Sequence, residues 1–182
     1  MPHLNFITAC WWLFILFWVV SAFAVKPLKE RPIRPWRLRM LFCSVSVFLL
    51  LRSGNSVRFW PLSATVWFGG CALTAAGLAI AIWARWVLGT NWSAAVTFRE
   101  GQELVQRGPY RRVRHPIYTG VLLMLAGTAL VLANGGILLA VAVMSLCFGW
   151  RIKQEEALML KHFPDAYSAY RARTKALIPF LF

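Results

Sequence analysis

The chain has 182 residues, 59% of them hydrophobic, with 10 Trp and a formal net charge of +14. So apolar a composition excludes an ordinary water-soluble domain, in which about half the residues are apolar. The charge would suggest a nucleic-acid partner in a soluble protein, but here the 20 Lys and Arg residues are sorted between long apolar runs, which points to a membrane protein instead.

A helix needs about 20 apolar residues to cross a hydrocarbon layer of roughly 30 Å. The first run, Phe6 to Val25, is long enough. Ala22-Phe23-Ala24 resembles a signal-peptide cleavage site, yet Met1 to Phe6 carries no basic residue whereas Lys26, Lys29 and Arg31 follow the run, the reverse of a signal peptide's order. A transmembrane helix is therefore expected. Lys26 to Pro35, rich in Pro, reads as a stiff connector. Met40 to Leu51 is short for a span, but Arg37, Arg39 and Arg52 flank it with side chains long enough to snorkel to the interfaces of a thinned bilayer.

Leu62 to Val87 is the next full-length run, and its Gly69-Gly70 and Ala75-Ala76-Gly77 suit close packing against a helix of the same chain or of a partner. Ile117 to Ala133 and Ile137 to Trp150 are separated only by Asn134-Gly135-Gly136, the signature of a tight turn in a helical hairpin. Cys10, Cys43, Cys71 and Cys147 all lie in apolar runs without C-x-x-C spacing; they read as small buried hydrophobes, and no metal site is expected.

The expected fold is an all-α integral membrane protein with about five transmembrane helices. With the N-terminus outside and the C-terminus cytoplasmic, three of the four basic segments fall inside, carrying 18 of the 20 positive charges. None of the five spans contains an acid, which argues against an ion or proton path and against the non-enzymatic reading as a small scaffold or transporter subunit.

Two polar stretches remain to build a site: Gly89 to Pro116, and the tail from Arg151. The hairpin brings Arg114-His115-Pro116 back beside Arg151 and Glu155. Ala95 to Val105 fits either a short extended hairpin or an irregular loop. Gly108-Pro109-Tyr110 marks a turn, and Arg111, Arg112 and Arg114 form a basic cluster. Pro116 suits the first turn of a helix, whose free N–H groups and positive end favour an anion. Taken singly, His115 also fits a capping role and Tyr118 an interfacial anchor, as do Trp60, Trp67, Trp83, Trp86, Trp92 and Trp150. The tail, with Leu158, Leu160, Phe163, Tyr167 and Tyr170, reads as an amphipathic helix on the membrane surface. Arg151 and Glu155, four residues apart, share a helix face and make either an ordinary ion pair or part of a site.

In their order, Leu88-Gly89-Thr90-Asn91-Trp92-Ser93, Glu103-Leu104-Val105, Gly108-Pro109-Tyr110, Arg114-His115-Pro116-Ile117-Tyr118-Thr119-Gly120, Glu155-Glu156, Phe163, Tyr167, Tyr170 and Ile178-Pro179-Phe180 resemble the isoprenylcysteine carboxyl methyltransferase family. The resemblance covers Leu88 to Phe182. It implies a division into membrane helices (1–87) and a cofactor-binding region (88–182), with S-adenosyl-L-methionine bound by Gln102, Glu103, Leu104, Val105, Tyr110, His115, Pro116, Ile117, Tyr118 and Glu155. Arg151 would then approach the carboxylate of a lipidic or prenylcysteine-like acceptor. It implies an active site on the cytoplasmic side of a membrane, with a bacterial inner membrane as the expected host.

An amine acceptor, as in phospholipid N-methylation, is the nearest alternative, and it would need a base, for which His115 and Glu156 are candidates. An NADPH-dependent membrane reductase shares a similar R-H-P-x-Y string, and Arg111, Arg112 and Arg114 would suit the extra phosphate. Oligomeric state and the identity of the acceptor are not readable from the sequence.

Overall fold

The computed structural model describes residues 2–23, 58–93, 96–98, 100–133 and 135–178. Among these the chain is all-helical, with α1 at Pro2–Ser21, α2 at Ala64–Leu88, α3 at Pro116–Leu132, α4 at Gly135–His162 and α5 at Pro164–Arg173. Single 3-10 turns lie at Gly89–Asn91 and Gly108–Arg111. Four of the five expected spans thus appear as helices; Met40 to Leu51 lies outside the described residues.

Local chemistry sets the helix ends. The Ser63 hydroxyl accepts from the Val66 N–H at the start of α2. Pro116 and Pro164 open α3 and α5, where a missing N–H leaves nothing unpaired. Ala133 closes α3 with φ +55°. The last carbonyls of α3 are taken up from the segment before α2: Arg58 donates to Val131 O (2.8 Å), Trp60 to Leu130 O (2.9 Å) and Phe59 N to Ala133 O (2.7 Å).

The expected hairpin is present, but its second arm is longer than the apolar run. Lys153 to Leu160 contains good helix formers and no Gly or Pro, so α4 continues unbroken to His162 and stops only ahead of Pro164. At 28 residues it is roughly 42 Å long, more than a 30 Å hydrocarbon layer requires. The tail expected as one amphipathic surface helix is therefore two elements. On α5, Tyr167 and Tyr170 turn inward and are buried, and Tyr170 donates to Tyr110 O at 2.7 Å.

Two helices, α2 with the turn that follows it and α4, are long and apolar enough to cross a membrane; α1 and α3 are shorter apolar helices. Large apolar side chains stand on the outside, Trp12, Leu16, Phe68, Trp86 and Leu146 among them, as lipid-facing surfaces do.

Close packing of α2 on α3 forms the centre. A Cβ placed on Gly77 would lie 2.5 Å from Gly120 O, and one on Gly120 would lie 2.6 Å from Gly77 O. Gly70 and Gly127 face each other in the same way. The small-residue pattern is thus used within the chain. Helix α1 lies against this pair through Ile7 with Cys71 and Val131, and through Cys10 with Leu78 and Met124, and Trp11 donates to the Thr128 hydroxyl at 3.1 Å. Cys10 and Cys71 are the buried free thiols expected, and Cys43 lies outside the described residues.

Replacing Gly120 with Val should lower stability by about 1–3 kcal/mol or more. Gly69→Ala, where nothing lies within 4 Å of the new Cβ, should leave the melting temperature in detergent unchanged. Equal melting temperatures for the two variants would contradict the packing described.

Candidate functional site

The site lies where the start of α3 meets the extension of α4. Because Gly77 and Gly120 hold α2 against α3, the segment leaving α2 is forced back across the beginning of α3. Among the described residues its course is irregular and holds no extended hairpin: Val96, Thr97 and Phe98 are buried, Phe98 stacks on His162 with ring centroids 3.7 Å apart, and Glu103 N donates to the Asn91 side chain at 3.2 Å. Arg85, buried in the last turn of α2, anchors this crossing by donating to Gly89 O at 2.8 Å and to Ser21 O of α1, with its guanidinium 4.5 Å from the centre of the Trp92 ring.

A cavity of about 370 Å³ results, within the range usual for small-molecule sites. Gln102, Glu103, Leu104, Val105, Tyr110, His115, Ile117, Tyr118, Arg151 and Glu155 all line it. Pro116 does not; it is buried behind them as the first residue of α3. Several further residues line it that the sequence did not place at the cofactor: Trp18 of α1, Trp92, which read as an interfacial anchor, Leu158 and Met159 of α4, and Tyr167 and Tyr170 of α5, which with Leu158 read as apolar contacts of the tail. Trp92 and Tyr118 therefore face the cavity and are not simple interfacial anchors. The spacing on α4 puts Leu158 and Met159 one turn beyond Glu155, a signal that could have found them; nothing in the sequence relates Trp18 to a segment more than 70 residues away.

The polar end of the cavity is built around Glu155. Its Oε1 accepts from the Tyr118 hydroxyl at 2.6 Å and from Arg151 Nε at 2.8 Å, and its Oε2 lies 3.5 Å from His115 Nδ1. The ring of Tyr118 is stacked between His115 and Phe148, at 5.6 and 4.6 Å. The other imidazole nitrogen, Nε2, is 3.4 Å from Glu156 Oε1. The Arg151–Glu155 pair is thus the i,i+4 ion pair and a wall of the cavity at once.

These contacts fix the charges outside the apolar part of α4. Burial by itself would push the Glu155 carboxyl up, but the hydrogen bond from His115 and the charge of Arg151 outweigh it and hold the group near 2. Glu156 is held near 2 in the same way, against burial, by His115 and Arg114. Burial disfavours the His115 imidazolium, yet the two carboxylates reverse this and raise its pKa above the ordinary value. Tyr110 is pushed well up, by burial first and then by the nearby Glu155 charge.

The donor set suits a cation that also carries polar hydrogen-bonding groups. An ionised carboxylate offers about four acceptor positions, and Glu155 has protein partners for only part of them. Around it Tyr110, Tyr118 and Trp92 supply flat faces, and Leu104, Val105 and Ile117 supply apolar wall. No group of His, Cys, Asp and Glu with metal-binding geometry occurs among the described residues.

Comparison with known proteins places this arrangement. Residues 65–166 match the family model described as phospholipid methyltransferase. Among curated relatives, the protein-S-isoprenylcysteine O-methyltransferase of Schizosaccharomyces pombe is 34% identical over 96 residues, covering 51% of this chain and 41% of that protein. The enzyme of the same name from Rattus norvegicus is 30% identical over 135 residues, covering 68% of this chain and 45% of the relative. The chain thus spans less than half the length of these relatives. Its fold is similar to that of the eukaryotic intramembrane Ras methyltransferase, isoprenylcysteine carboxyl methyltransferase, with a TM-score of 0.60 and 24% identity over 84% of this chain and 55% of that one. The resemblance read from the motifs between Leu88 and Phe182 is therefore borne out, and the chain belongs to the phospholipid methyltransferase family, with isoprenylcysteine O-methyltransferases as its relatives.

Proposed function

We propose that the protein is a membrane-embedded carboxyl O-methyltransferase that uses S-adenosyl-L-methionine and acts on the carboxylate of a lipidic, prenylcysteine-like acceptor. The observation that carries this choice is the pairing within the cluster at the polar end of the cavity, where every candidate base is in contact with an opposite charge. Glu155 and Glu156 are held near 2 beside Arg151 and Arg114, and His115 is held between the two carboxylates, so the groups that could serve an amine acceptor as base are either very weak bases or already engaged on both sides. A carboxylate acceptor needs no base, because an ordinary carboxyl group is ionised at pH 7. The family description favours the amine reading, phospholipid N-methylation, which remains the second candidate.

When bound, S-adenosyl-L-methionine supplies a methyl group made electrophilic by its sulfonium charge. Glu155 would accept from its amine or ribose hydroxyls, and Tyr110 and Tyr118 would flank its ring. Gln102, Glu103, Leu104, Val105, His115, Pro116 and Ile117 would form the rest of that pocket, Pro116 from behind through the backbone at the start of α3. Arg151 would orient the acceptor carboxylate while remaining paired with Glu155, so that no charge is stranded at the membrane boundary. Alignment and exclusion of water are the protein's main contributions. Residues 88–182 would hold the cofactor, and residues 1–87 would supply apolar walls, as Trp18 does.

Against the reductase reading, Arg111 and Arg112 are exposed and do not line the cavity, and Arg114, which does line it, is paired with Glu156. In the membrane we place five spans with the N-terminus outside and the site on the cytoplasmic side, which follows the distribution of Lys and Arg. A bacterial inner membrane is the host this reading expects.

Purified protein in detergent, given methyl-labelled S-adenosyl-L-methionine, should label a farnesylated cysteine with a free carboxylate as a base-labile ester and should leave phosphatidylethanolamine unlabelled. Labelling of phosphatidylethanolamine alone would overturn the acceptor assignment. Arg151→Gln should raise the KM for the farnesylated cysteine about tenfold or more, the scale of one charge-assisted hydrogen bond; an unchanged KM would remove Arg151 from the acceptor site.

A further inference from the structure

Glu155 and Glu156 are adjacent, yet a helix turns successive residues by about 100°, and the two carboxylates serve different neighbours. Glu155 faces the cavity; Glu156 lies behind it and does not line it. Its side chain, 9% exposed, meets three cations: Arg114 Nε at 2.7 Å and His115 Nε2 at 3.4 Å through Oε1, and Arg171 Nε at 3.5 Å through Oε2.

One of these cations, Arg114, also holds the chain that follows α5. Arg114 donates from its guanidinium to Thr174 O and, at 3.4 Å, to Arg171 O. Arg114 N and His115 N donate to Lys175 O and Ala176 O at 2.8 and 3.0 Å, and the Thr119 hydroxyl donates to Leu177 O at 2.7 Å. Residues 174–177 therefore lie across the first turn of α3, pinned by Arg114, which Glu156 neutralises. His115 is held from both sides, by Glu155 on one ring nitrogen and Glu156 on the other, with Tyr118 stacked on its face.

We infer that Glu156 is a positioning residue of this site: it fixes the His115 ring against the cavity and, through Arg114, fastens residues 174–177 over the start of α3. The inference rests on the reading of the cavity as the cofactor site, and it divides the labour of the two carboxylates between ligand and frame. The charged and titratable groups that bear on His115 are Glu155 and Glu156 from α4, Tyr118 from its own helix, Arg114 beside it and, through the two carboxylates, Arg151 and Arg171.

Two variants pull the imidazole in opposite directions. Glu156→Gln removes a carboxylate, so His115 should lose its proton at a lower pH than in the wild type, by about one unit or more. Arg171→Gln, which changes a side chain that is 54% exposed, leaves Glu156 less neutralised and should move the same midpoint upward by less. With labelled histidine, nuclear magnetic resonance of the detergent-purified full chain reads these midpoints, and His3 and His162 serve as internal references. Binding of S-adenosylhomocysteine to Glu156→Gln should weaken about tenfold, with its pH dependence displaced the same way as the midpoint. A loss of packing alone would not give midpoints of opposite sign.

Unchanged midpoints, or midpoints moving in one direction for both variants, would overturn the inference. If Glu156→Gln does not fold, Arg171→Gln decides it alone, since an unmoved or lowered midpoint contradicts the clamp. Wild-type protein that fails to bind S-adenosylhomocysteine would remove the cofactor reading, while the midpoints would still decide what Glu156 holds.

Discussion

The contact of α2 with α3 through Gly70, Gly77, Gly120 and Gly127 is the constraint on which the rest depends. It brings two helix backbones closer than any side chain would permit, and so fixes their relative height. The height matters because the end of α2 delivers Leu88, Asn91 and Trp92, and the start of α3 delivers His115, Ile117 and Tyr118, to one cavity. Gly120 stands only two residues from Tyr118. A shift there would move the aromatic ring that orders both His115 and Glu155.

The polar end of the cavity is a charge network placed where an apolar helix runs out. Burial works against every charged member, and each is retained because an opposite charge is in contact: Arg151 with Glu155, Arg114 with Glu156, and His115 with both carboxylates. The result is a set of groups each engaged by an opposite charge. A site of this kind orients and neutralises well and abstracts protons poorly, which is the reason for preferring an acceptor that is already an anion.

Much of this was legible in the sequence because its causes are local. Apolar runs of sufficient length marked α1, α2 and the hairpin arms, Pro116 marked the start of α3, and the small residues on α2 marked a close approach. The motifs from Gln102 to Tyr118, with Arg151 and Glu155, named the polar end of the cavity and about half of its wall. Illegible were the features made by contacts between distant residues. Trp18 reaches the cavity from α1, Arg114 pairs with Glu156 across 42 positions, and the chain after α5 folds back on residues 113–119. The tail misled for a related reason: the apolar spacing of Tyr167 and Tyr170 is the same whether they face lipid or, as here, the underside of a cavity.

The central claim, that the cavity around Glu155 is a cofactor site for methyl transfer, is tested most directly by calorimetric titration of the purified protein with S-adenosylhomocysteine, beside NADPH and beside the Glu155→Ala variant. The account predicts micromolar binding of S-adenosylhomocysteine to the wild type, lost in the variant, with no heat from NADPH. Binding of NADPH instead, or S-adenosylhomocysteine binding indifferent to the loss of Glu155, would contradict it.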